Sequence, residues 1–101
     1  MRIKIILACA AGMSTSMLTD RMKKAAAAKS LEVEIAAHPV SELPAEAPGS
    51  SIILLGPQVS YMKDKITAEF PGIPVRVVDM RDYGMMNGEK VLQDALDMIF
   101  P

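Results

Sequence analysis

The sequence predicts a small α/β domain: a doubly wound, four-stranded parallel sheet in the order 2-1-3-4, with helices on both faces. Three observations carry this reading. Two apolar runs, Arg2 to Ala8 and Ser51 to Leu55, lack the polar alternation of a half-exposed strand, so they read as central strands. Two further strand-like segments, Leu31 to Ile35 and Val75 to Val78, are interrupted by charge and read as edges. Helical periodicity separates most of these strands, and the connections are long enough to cross over, which favours parallel pairing.

After the first strand, Leu18, Met22, Ala25 and Ala26 recur at helical spacing within Ser16 to Lys29. Asp20 near the start of this helix and Lys23, Lys24 and Lys29 near its end suit the helix dipole. Leu31-Glu32-Val33-Glu34-Ile35 alternates strictly, as a strand buried on one face does, and Pro39, Pro44, Pro48 and Gly49 mark a connecting loop. The strand ending at Leu55 stops at Gly56-Pro57, with Pro57 suited to the first position of a second helix. Val59, Met62, Ile66 and Phe70 line one face of that helix, and Pro71-Gly72 ends it. Asp79 to Met86 reads as a loop or short turn, after which Asn87 caps a last helix that turns Val91, Leu92, Ala95, Leu96 and Ile99 inward.

The 101 residues read as a single domain, 1–101, long enough to bury a core without disulfide or metal staples. Eleven basic residues against twelve acidic ones leave a net charge of −1, which gives no footprint for nucleic acid and no polybasic membrane patch. One cysteine and one histidine make neither an internal disulfide nor a Cys/His metal cluster, so no metal and no cofactor are expected, and a reducing cytoplasm suits the chain. Arg2 and Lys4 ahead of an apolar stretch imitate an export signal. Only four uninterrupted apolar residues separate Lys4 from Cys9, however, whereas an export signal needs about 7 to 15. No direct membrane insertion is expected.

The chemistry points to Cys9. On residue type alone a lone cysteine is a small buried hydrophobe. Here it ends a central strand and is followed by Ala10-Ala11-Gly12-Met13-Ser14-Thr15-Ser16, small and hydroxylated residues leading into a helix. Such a turn aims backbone N–H groups and the helix dipole at one spot, which favours a thiolate and any phosphate it carries. In the predicted strand order the topological switch point falls between the first and third strands, where Cys9, the Gly56 to Gln58 turn and Asp79 would project.

The run Cys9-Ala10-Ala11-Gly12-Met13-Ser14-Thr15-Ser16, with Gly56-Pro57-Gln58 and Tyr61-Met62 after the third strand and Tyr83-Gly84 in the last loop, resembles enzyme IIB of the lactose/cellobiose class. This class belongs to the bacterial phosphoenolpyruvate-dependent sugar phosphotransferase system. The likeness covers essentially the whole chain and leans toward the cellobiose and chitobiose type. It implies that Cys9 is phosphorylated by a phosphohistidine on enzyme IIA and passes the group to sugar held by the membrane-embedded enzyme IIC. It further implies that Ala10 to Ser16 hold the phosphate, and that Gln58 and Tyr83 stand at the site edge. A cytoplasmic protein, peripheral to the membrane through enzyme IIC and acting on a β-linked disaccharide, is what the resemblance leads one to expect.

Two other functions compete. A low-molecular-weight cysteine phosphatase also sets cysteine on a loop after the first strand, but it needs an arginine six residues later to grip the phosphate, and that position is Thr15. A non-enzymatic anion-binding or receiver module would share the fold, yet a receiver needs acidic residues where Ala8-Cys9-Ala10 stands. Plainer roles remain open for several residues. Ser14, Thr15 and Ser16 serve as donors to phosphate or as helix caps. Asp79 and Asp82 read as turn caps or as acid, base or metal ligands. His38 reads as a surface residue, and Met13, Met85 and Met86 as gap fillers or an adaptable docking surface.

Overall fold

A computed structural model describes residues 3–10 and 13–101, and for residues 13–15 the backbone alone. Four parallel strands, β1 (Ile3–Cys9), β2 (Val33–Pro39), β3 (Ile52–Leu55) and β4 (Val75–Val77), form one sheet in the order β2-β1-β3-β4. This is the expected order 2-1-3-4. β1 is the hub: Ile5 pairs with Ile35 on one side and Ile52 on the other, and Ala8 with His38 and Leu55.

Side chains alternate across this sheet, so each strand feeds two layers. Ile5, Leu7, Ile35, Ile52 and Leu54 pack under α1 (Met13–Ala28) and α5 (Gly88–Ile99), against Leu18, Met22, Val91, Leu92 and Ala95. Ile6, Ala8, Ile53 and Leu55 pack on the other face, beneath α2 (Leu43–Glu46) and α3 (Lys63–Glu69), against Leu43, Ala47, Val59 and Ile66. Full burial of a side chain such as Leu18 or Ile66 contributes about 1.5–3 kcal/mol, so the two layers together hold the sheet.

Several boundaries move from those the sequence suggests. α1 begins at Met13 rather than Ser16, because its first turn precedes the apolar periodicity that marks the helix. α1 ends at Ala28, and the chain leaves through Ser30 at φ 55°, with Ser30 N–H donating to the Ala27 carbonyl and Leu31 N–H to the Ala26 carbonyl. This closing turn uses the Leu31 N–H, so β2 starts at Val33 and runs on to Pro39, which an edge strand tolerates.

The expected loop after residue 39 contains a 3-10 turn, Val40–Glu42, and then α2, whose Leu43 seals one face of the sheet. Pro57 does open a helical segment, but Pro57–Met62 is a 3-10 turn with Val59 off helical geometry, and α3 follows it. β4 closes one residue early, at Val77. Asp79 to Met86 holds a short helix, α4 (Met80–Gly84), instead of a loop. The Asp79 carboxylate accepts from the N–H groups of Arg81 at 2.9 Å and Asp82 at 3.2 Å. Asn87 caps α5 as expected, its Oδ1 accepting from Lys90 N–H at 3.2 Å. Among the described residues, no helix is long and apolar enough to cross a membrane.

Candidate functional site at the end of the central strand

Cys9 is the last residue of β1, 4% exposed, and Ala10 beyond it is exposed. The thiol therefore sits at the carboxyl edge of the sheet, at the switch point between β1 and β3, with α1 opening at Met13. Next to it, β3 ends at Leu55 and Gly56 N–H donates to the Ala8 carbonyl at 2.9 Å, which holds the start of the Pro57 turn against the root of Cys9.

Gly56 is where the site residues converge. A β carbon built on Gly56 would lie 3.6 Å from Cys9 Cβ, 3.6 Å from Tyr83 Cε2 and 3.3 Å from Gln58 Oε1. Three residues from β1, the Pro57 turn and α4 thus surround one backbone position. Tyr83, 7% exposed, is carried there by α4, whose Asp79 cap also anchors it through Tyr83 N–H to the Asp79 carbonyl at 2.9 Å. Gln58 is exposed on the rim.

The structure brings Cys9, Gln58 and Tyr83 together. Ala10 begins the loop, Ala11 and Gly12 lie outside the described residues, and Met13 to Ser16 occupy the first turn of α1. The Ser16 carbonyl accepts from Thr19 Oγ1 at 2.8 Å.

Other candidates stand apart from the thiol. His38 pairs with Ala8 and shares its face of the sheet, opposite to that of Cys9, and its Nδ1 lies 3.1 Å from Glu42 Oε1. Asp79 works as the α4 cap, and Asp82 lies 3.8 Å from the Lys90 ammonium. The Lys90 ammonium is held above its ordinary pKa, chiefly by its hydrogen bond to Asp94. No group of three His, Cys, Asp or Glu side chains among the described residues could hold a metal ion.

Met85 is 62% exposed just beyond Tyr83, and Met86 behind it is half-buried. Sequence reasoning missed two larger exposed apolar groups, Tyr61 and Met80. Tyr61 lies off the face that Val59, Met62 and Ile66 bury, and the Pro57–Met62 turn carries it outward. It borders an open groove of about 360 Å³ that runs from Ala10 between α2 and α3, along Leu43, Val59 and Lys65.

Residues 4–94 match the family described as PTS system, Lactose/Cellobiose specific IIB subunit. The galactose-specific EIIB component of Lactococcus lactis subsp. cremoris (strain MG1363) is 44% identical over 102 residues, 94% of each chain. The cellobiose-specific EIIB component of Lactococcus lactis subsp. lactis (strain IL1403) matches at the same identity and coverage. The oligo-beta-mannoside-specific EIIB component of Bacillus subtilis (strain 168) is 38% identical over 98 residues, 95% of each chain.

Among solved structures, the cellobiose-specific phosphotransferase IIB component from Borrelia burgdorferi superposes with a TM-score of 0.80 at 38% identity, covering 96% of this chain and 91% of that one. The lactose-specific IIB domain from Streptococcus pneumoniae gives 0.81 at 22% identity, over 96% and 97% of the two chains, a likeness of fold. On this extent of similarity, the chain belongs to the lactose/cellobiose-specific IIB family of the phosphoenolpyruvate:carbohydrate phosphotransferase system.

Proposed function

We propose that this chain is a phosphoryl carrier. The Cys9 thiolate attacks the phosphorus of a phosphohistidine on enzyme IIA; an S–P bond forms, the P–N bond breaks, and its electron pair returns to the imidazole. In the second transfer a hydroxyl of a β-linked disaccharide, held by the membrane enzyme IIC, attacks the same phosphorus. The S–P bond breaks, the thiolate is restored and the hydroxyl proton leaves to water. The protein works in the cytoplasm and meets the membrane only through enzyme IIC.

The observation that carries this reading is the setting of Cys9: the end of a central strand, at the switch point of the sheet, with a helix opening four residues on. Phosphoryl transfer asks a protein mainly for position and charge stabilisation. A thiolate at the end of a strand, four residues before a helix N-terminus, is suited to both. The 44%-identical relatives named for galactose and cellobiose fit a carrier whose partner, rather than itself, selects the sugar.

The deciding experiment is mass spectrometry after incubation with phosphorylated enzyme IIA. The parent protein gains one phosphoryl group on Cys9, and Cys9→Ser gains none while keeping its fold, because a serine hydroxyl is far less ionised than a thiol. A full phosphoryl increment on Cys9→Ser, or one that maps to His38 in the parent, overturns the proposal.

A further inference from the structure

Gly56 presents a glycine that neither backbone nor packing demands. Its φ of −61° and ψ of 150° are extended backbone open to any residue. A β carbon there would make only ordinary contact with Cys9 and Tyr83, at 3.6 Å each. The one tight approach is to Gln58 Oε1, at 3.3 Å. What the missing methyl admits is therefore the Gln58 carboxamide, folded back over Gly56, the position that Cys9 Cβ also borders. Gln58 is exposed, so no core contact accounts for that placement.

From this we infer that Gln58 is a phosphoryl-contact residue, and that Gly56 is the notch that lets it reach; the inference rests on Cys9 being the phosphorylated residue. Oε1 and Nε2 of a carboxamide exchange places by a half-turn of the amide plane. With a bare thiol the carboxamide oxygen faces the notch. When Cys9 carries phosphate, the half-turned amide offers Nε2–H to a phosphoryl oxygen. A neutral donor stabilises the phosphoryl group entering and leaving, without the grip of an arginine that would favour attack by water.

The test is the initial rate of phosphoryl transfer from phosphorylated enzyme IIA to Cys9 between pH 7.5 and pH 5, each variant relative to the parent at the same pH. Gln58→Glu keeps the shape but sets a carboxylate against the phosphoryl oxygens. Transfer falls by about tenfold or more at pH 7.5, and the deficit closes as the pH drops and the carboxyl takes up a proton. Gln58→Ala gives a smaller loss that does not depend on pH. Gly56→Ala, whose methyl displaces the carboxamide, reproduces that loss, and the double variant is no worse than Gln58→Ala alone.

A Gln58→Glu rate equal to the parent, or a deficit constant across the pH range, overturns the inference while leaving the carrier role intact. So does a double variant whose losses multiply. A parent protein that takes up no phosphoryl group on Cys9 overturns both.

Discussion

Gly88, the first residue of α5, lies against the backbone of Arg21 in the middle of α1: a β carbon on Gly88 would come within 2.6 Å of the Arg21 carbonyl carbon and of Met22 N. The two helices therefore touch main chain to main chain at this point. α1 opens beside Cys9, so the crossing with α5 also helps to fix where the site loop meets the sheet.

Gly88→Ala is expected to lower stability by about 1–3 kcal/mol, because a methyl facing backbone cannot be accommodated by a rotamer change and the helices must part. Gly84→Ala is the control. A β carbon there meets nothing within 4 Å, so its effect runs from neutral to a gain of up to about 1 kcal/mol. Urea unfolding of the two variants checks the claim. Equal midpoints for both would show that the close approach of α5 to α1 does not constrain residue 88.

Ser30 closes α1 from the left-handed region, at φ 55°, in a position where glycine is the usual residue. A non-glycine residue held there costs roughly 1–2 kcal/mol, while glycine carries an entropic cost of about 0.5–1 kcal/mol. Ser30→Gly is therefore expected to raise the urea midpoint, by about 0.5–1 kcal/mol of stability, with the slope unchanged. A fall in the midpoint would mean that the Ser30 side chain, exposed though it is, supports the turn.

The same turn shows what the sequence could and could not reveal. A glycine at residue 30 would have announced the helix end. Serine did not, and the strict alternation from Leu31 drew the second strand two residues too early. α2 and α4, of four and five residues, are shorter than the pattern that identifies a helix. The sheet order was legible because Ile5-Ile6-Leu7-Ala8 and Ile52-Ile53-Leu54-Leu55 are buried on both faces, and a strand of that kind has to be central. For the candidate site, the sequence pointed to Cys9 through its loop and to Gln58 and Tyr83 through a family likeness. Their convergence on Gly56 was not legible, since it depends on β1, the Pro57 turn and α4 meeting in space.

The loop from Ala10 to Ser16 contains no arginine, and Thr15 stands where a cysteine phosphatase would place one. Without a guanidinium to hold the equatorial oxygens, water gains little help in attacking phosphocysteine, whereas a docked partner brings both an acceptor hydroxyl and its activating groups. Slow loss of phosphate from the purified phosphoprotein is thus a condition for a carrier. The phosphoprotein is expected to persist in buffer, to lose its phosphate rapidly when enzyme IIC and sugar are added, and to show negligible turnover of small aryl phosphates. Phosphoprotein decay followed with and without the membrane partner measures this. Rapid spontaneous hydrolysis, or steady aryl phosphate turnover that disappears in Cys9→Ser, would assign the site to a phosphatase.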